Sequence, residues 1–149
     1  MRILLVEDEV HKRDEIIGCV LSVYETAPEI VDSVSGAVLS VMADDFHLII
    51  LDMALSTFGD SAGDNVKGHD QAQGGIEVLR ALKAAKKMAK IIIVTQYPDF
   101  HIGGVKVKLK DSPKIIKAKY GQDIVGAVLY NYKSKSTMQR IASILRQHK

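Results

Sequence analysis

The feature that most limits what this chain can fold into is a set of short, nearly unbroken apolar runs separated by amphipathic stretches. Residues 2–6 (RILLV), 46–53 (FHLIILDM), 90–95 (KIIIVT) and 124–130 (IVGAVLY) are apolar almost throughout, and a weaker run, 29–34 (EIVDSV), lies between the first two. A strand with no polar side must be covered on both faces, which excludes a one-sided antiparallel sheet. The intervening segments supply the cover. Helical spacing is present over residues 10–23, over 35–43 with Val38, Leu39 and Met42 on one side, and over 76–88 with Val78, Leu79, Leu82 and Ala85 on one face. A fourth helix starts with Ser112 as cap before Pro113 and ends ahead of Gly121, and a fifth covers 135–147 with Met138, Ile141, Ile144 and Leu145 inward. Five βα units predict an α/β fold with a doubly wound five-stranded parallel sheet.

Two segments stand outside this alternation. Residues 56–75 are polar and lack periodicity, which predicts a loop of unusual length. Residues 103–111 contain the alternating VKVKLK of 105–110, which predicts an extra half-exposed strand or extended edge. A length of 149 residues with 47% hydrophobic side chains is enough for one domain with a real core, so a single domain over 1–149 is expected. Cys19 is the only cysteine, which excludes an internal disulfide and a cysteine-built metal centre, fits a reducing cytoplasm, and reads as a small core residue. His11, His47, His101 and His148 share no ligand spacing, so no zinc site is expected. No run approaches a membrane span, and no membrane association is expected.

The net charge of +2 conceals an asymmetry. Residues 1–82 carry 15 acids and 5 bases, or −10, whereas residues 83–149 carry 3 acids and 15 bases, or +12. The lysine-rich stretch from Lys83 to Lys119 reads as a protein-facing surface. Nucleic acid is disfavoured as a partner because no helix-turn-helix is attached.

Ligands of doubly wound sheets bind beyond the carboxyl ends of the strands. Glu7, Asp8 and Glu9 follow the first strand there, Asp52 ends the third, Thr95 ends the fourth, and residues 130–133 follow the fifth. No glycine-rich phosphate fingerprint follows the first strand, which disfavours an ordinary nucleotide site. Converging carboxylates repel, and a hard divalent cation such as Mg²⁺ relieves that repulsion. Asp8 and Asp52 are the candidate direct ligands, with Glu7 acting through water and the backbone carbonyl of Ala54 completing the shell.

The combination of VED after the first strand, LD in the third and VT in the fourth resembles the receiver domains of two-component response regulators. The resemblance runs from Arg2 to about Lys149. It implies a flavodoxin-like (βα)5 fold of strand order 2-1-3-4-5, Mg²⁺ at Glu7 and Asp8, a phosphate-accepting carboxylate at Asp52 and a switch hydroxyl at Thr95. It also implies phosphoryl transfer from a histidine kinase or phosphotransfer protein, and signalling by contact with a downstream protein. A second copy of the chain is a further candidate partner.

The sequence departs from the family after the fifth strand, where receivers carry Lys-Pro and the lysine pairs with the phosphoryl group. Ungapped alignment of the terminal helices puts Tyr130 in the lysine position; with Tyr130 as the aromatic switch residue instead, Lys133 becomes the lysine, and Lys133 is preferred. Gln96 stands where the family has a small residue, so its amide either bonds the phosphoryl group or crowds the entry. Asp60, Asp64, His69 and Asp70 in the long loop do not match calcium-loop spacing. Two other readings compete with the phosphoacceptor: a degenerate receiver-like binding module that works without phosphorylation, and a metal-dependent phosphate-ester hydrolase.

Overall fold

The computed structural model describes residues 1–55 and 74–149. The candidate loop ligands Asp60, Asp64, His69 and Asp70, and nearly all of the expected 56–75 loop, lie outside the described residues. The elements run β1 (Ile3–Val6), α1 (Val10–Val23), β2 (Glu29–Val31), α2 (Val34–Ala43), β3 (Leu48–Leu51), α3 (Gly74–Ala84), β4 (Lys90–Thr95), β5 (Asp99–Ile102), β6 (Val105–Lys108), α4 (Ser112–Tyr120), β7 (Asp123–Leu129) and α5 (Lys135–Gln147). Five strands form one parallel sheet in the order β2-β1-β3-β4-β7. This is the doubly wound (βα)5 arrangement, with β7 as the fifth core strand.

Alternation along the strands divides the core into two layers, one on each side of the sheet. Leu4, Val6, Ile49, Leu51, Ile91 and Ile93 face α2, α3 and α4, while Ile3, Leu5, Leu48, Ile50, Ile92 and Val94 face α1 and α5. Cys19 belongs to the second layer, its Sγ 3.4 Å from Met138 Sδ. The continuous apolar runs are thus used on both faces, as their composition requires.

Several sequence expectations are corrected in detail. Helix α2 buries Val34, Ala37 and Val41, whereas Leu39 and Met42 are 70% and 57% exposed. Most of this helix is apolar, so periodicity does not select a face; the small side chains decide it. A Cβ on Gly36 would lie 2.7 Å from Val31 Cγ1, and that closeness sets α2 against β2. Helix α3 begins at Gly74 and ends at Ala84, shorter at its carboxyl end than the 76–88 expected. Ser112 is not the cap of α4: a 3-10 turn over Leu109–Asp111 leads into the helix, and Ser112 Oγ donates to the Leu109 carbonyl at 2.7 Å. The extra segment is half of an antiparallel hairpin, β5–β6, turned by Gly103 and Gly104 at φ of 59° and 79°.

One buried side chain joins the amino-terminal ends of β4 and β7. Gln122, 1% exposed, accepts from the Ala89 N–H at 3.1 Å and donates to the carbonyls of Lys87 (2.8 Å) and Tyr120 (3.2 Å). Gln122→Leu fills the volume but leaves these backbone groups without their partner, and is expected to cost about 3 kcal/mol. Urea unfolding is the measurement: a lowered midpoint with an unchanged slope is the expected result.

A candidate site of clustered carboxylates

The parallel ladder brings the acids together. The Asp52 N–H donates to the Val6 carbonyl at 3.1 Å and the Glu7 N–H to the Val31 carbonyl at 3.0 Å, so the hydrogen bonding between strands continues one residue past their ends. This sets Glu7 and Asp8 beside Asp52 at the carboxyl rim of the sheet. Ligand oxygens of all three lie within 4.8 Å of one another. Glu7 and Asp52 are 1% and 3% exposed.

Carboxylates so close in so dry a place must be compensated. Lys12, in α1, does part of this. Its ammonium lies 2.7 Å from Glu7 Oε1 and 3.3 Å from Asp52 Oδ1, and donates to Gln96 Oε1 at 3.2 Å. The Lys12 side chain is fully buried. Asp52 Oδ1 also accepts from the Ala54 N–H at 3.0 Å, and Glu7 Oε2 from the Glu9 N–H at 3.0 Å. Burial pushes the Glu7 carboxyl up to about 8, the Asp52 charge adds to the rise, and Lys12 draws it back. Burial likewise raises Asp52 above the ordinary carboxylate range, against the pull of Lys12 and the Ala54 N–H.

The clustered donors of Glu7, Asp8 and Asp52 are hard carboxylate oxygens, a set that fits Mg²⁺. Glu7 Oε1 supplies a further sign of fit: it is buried, has no aligned hydrogen-bond donor, and meets Lys12 only as an ion pair.

Of the other sequence candidates, Thr95 is wholly buried at the end of β4, and its Oγ1 accepts from the Tyr97 N–H at 3.3 Å. Ala54 reaches Asp52 through its N–H. Gln96 bridges Lys12 to Glu9, donating to Glu9 Oε2 at 2.5 Å. Tyr130 follows β7, donates its N–H to the Thr95 carbonyl at 2.7 Å and its hydroxyl to Glu15 Oε1, and holds its ring 5.6 Å from the Lys12 ammonium.

Lys133, the preferred candidate for the lysine position, lies apart from the carboxylate cluster in this structure. Lys133 is exposed, has φ of 57° in the turn before α5, donates its N–H to Glu15 and holds its ammonium over the Tyr132 ring. Among the described residues it makes no ion pair with the carboxylate cluster, because the left-handed turn anchored to Glu15 holds it at the surface. Sequence reasoning missed Lys12. The signal was present: Lys12 shares the buried face of α1 with Ile16, Cys19, Val20 and Val23, and a lysine on an apolar stripe requires a buried partner.

No family model matches the chain. It is 32% identical over 148 residues to the Detocs response regulatory protein DtcB of Vibrio alginolyticus, covering 97% of this chain and 99% of that protein. Similar solved structures include a response regulator from Colwellia psychrerythraea, with a TM-score of 0.61 at 16% identity over 98% of this chain and 97% of that one. The response regulator domain of Thermotoga maritima CheB gives a TM-score of 0.63 at 15% identity, over 99% and 92%. TrrA of Thermotoga maritima, solved in complex with Mg²⁺-BeF, gives 0.56 at 17% identity, over 96% and 97%. The sheet order agrees with that fold, the acids stand at the strand ends where the motif resemblance located them, and near-full-length identity ties the sequence to a response regulatory protein: the chain belongs to the response regulator receiver family of two-component signalling.

Proposed function

We propose that the protein accepts a phosphoryl group on Asp52 from a phosphohistidine of a histidine kinase or phosphotransfer protein, in the cytoplasm, and passes the signal to a downstream protein by contact. The observation that carries this reading is the convergence of Glu7, Asp8 and Asp52 within 4.8 Å, with the Thr95 hydroxyl buried at the neighbouring strand end. Glu7, Asp8, Asp52 and the Ala54 carbonyl would hold Mg²⁺, which when bound neutralises phosphoryl charge.

One oxygen of ionised Asp52 attacks phosphorus; the P–O bond forms as the P–N bond breaks, and the electron pair departs with the imidazole. The Ala54 N–H fixes the rotation of the attacking carboxylate by holding Oδ1. The Thr95 hydroxyl then turns from the Tyr97 N–H to a phosphoryl oxygen, which changes the loop after β4, and the lysine-rich surface that follows presents that change to a partner.

Incubation with a small phosphodonor and Mg²⁺, followed by intact mass measurement, tests the reading. The expected result is a gain of one phosphoryl group that chelation of Mg²⁺ prevents. No gain would return the protein to a binding module that works without phosphorylation, and steady phosphate release from unrelated monoesters would make it a hydrolase.

A further inference from the structure

A fully buried lysine is costly unless its charge is used. The Lys12 ammonium has three N–H donors and faces three acceptors: Glu7 Oε1, Asp52 Oδ1 and Gln96 Oε1. It is also the cation that the site would lack if only the end of β7 were considered, since Tyr130 stands there and Lys133 lies at the surface.

From this geometry we infer that Lys12, carried by α1, is the cation that pairs with the phosphoryl group on Asp52. The inference rests on the phosphoacceptor reading and goes beyond it by assigning the role to a residue on a different element. Of the three contacts, the longest is the one to Asp52 Oδ1, so that donor turns most readily when phosphorus bonds to the carboxylate; Glu7 and Gln96 keep the ammonium in place meanwhile. The Tyr130 ring lies over the same ammonium at 5.6 Å, and the Tyr130 hydroxyl is held by Glu15 of α1. The residue after β7 therefore braces the lysine instead of supplying it. Helix α1 then reports the state of Asp52 directly, and Gln96 carries it to the loop after β4 through Glu9 and Lys12.

The test compares wild type, Lys12→Met and Lys133→Ala in labelling by a small phosphodonor with Mg²⁺, normalised to folded protein, together with calorimetric titration of Mg²⁺ alone. Lys12→Met is expected to label about 10-fold more slowly or worse while binding Mg²⁺ at least as tightly as wild type, because a positive charge has left the carboxylates. Lys133→Ala is expected to label like wild type. Wild-type labelling by Lys12→Met, or loss of labelling in Lys133→Ala, overturns the assignment and leaves the phosphoacceptor standing. A wild type that binds Mg²⁺ but never labels removes both. Should Lys12→Met fail to fold, NMR of wild-type protein with ¹⁵N-labelled lysines takes its place, the Lys12 ammonium signal being assigned from Lys12→Arg. Beryllofluoride with Mg²⁺ is expected to shift that signal and slow its exchange with water, and an unmoved signal overturns the inference.

Discussion

Asp52→Asn is expected to abolish phosphoryl uptake and at the same time to stabilise the fold. The amide is close in shape to the carboxylate, and its oxygen still accepts from the Ala54 N–H and still faces the Lys12 ammonium, so the loop after β3 keeps its geometry. What disappears is a charge held at 3% exposure, whose burial outweighs the attraction of Lys12, as the raised protonation range of Asp52 indicates. Relief of that desolvation and of the repulsion with Asp8 is worth about 1 kcal/mol, or about 2–4 °C in Tm for a chain of this size. Thermal melts in a chelator isolate the effect from metal binding. Added Mg²⁺ should then raise the Tm of wild type more than that of the variant, narrowing the gap. A variant less stable than wild type in chelator would mean that the ion pair with Lys12 outweighs burial.

The second large effect is expected at Gly75. A Cβ there would lie 2.7 Å from Met53 Cα and 2.9 Å from the Asp52 carbonyl oxygen, atoms of backbone that no side-chain rotation can move aside. The Gly75 N–H also donates to the Met53 carbonyl at 2.9 Å, so the start of α3 is pinned against the residue after Asp52. Alanine favours helix over glycine by about 1 kcal/mol in a helix interior, but Gly75 is in the first turn, where that gain shrinks, and overpacking against a fixed backbone costs about 1–3 kcal/mol. Gly75→Ala should therefore lower Tm, by about 2–12 °C. It should also slow phosphoryl uptake, because the strain falls on the segment that orients Asp52. Melting followed by labelling of the folded fraction separates the two effects; an unchanged Tm would show that α3 can move away from Met53 freely.

How far the sequence reveals this structure depends on how one-sided each local signal is. The bounds of α1, β4 and α5 are legible because helical apolar spacing in the two helices and an unbroken apolar run in the strand each point to one element type. The face of α2 is not legible, since an almost wholly apolar helix has no minority side to expose. Strand β5 was missed although its partner β6 was expected: DFHI is too short and mixed to stand out, and the informative signal was the Gly103–Gly104 pair, which permits the positive φ that a two-residue hairpin turn needs. In the candidate site the carboxylates were legible because each directly follows an apolar strand. Lys12 was not, because it joins the cluster through helix geometry, within the first turn of α1, and a lysine in a helix is by default assigned to water.

The position of β7 has a consequence for synthesis. It is the outermost strand beside β4, yet the last of the five sheet strands to leave the ribosome, so a nascent chain that ends before residue 123 presents the KIIIVT backbone with one side unmatched and its Ile and Val side chains uncovered. Such an unfinished chain is a template for sticking to its own kind. Chains that stop between residues 96 and 122 should therefore yield insoluble product more often than a shorter soluble protein, and chaperone demand should peak in the interval before β7 emerges.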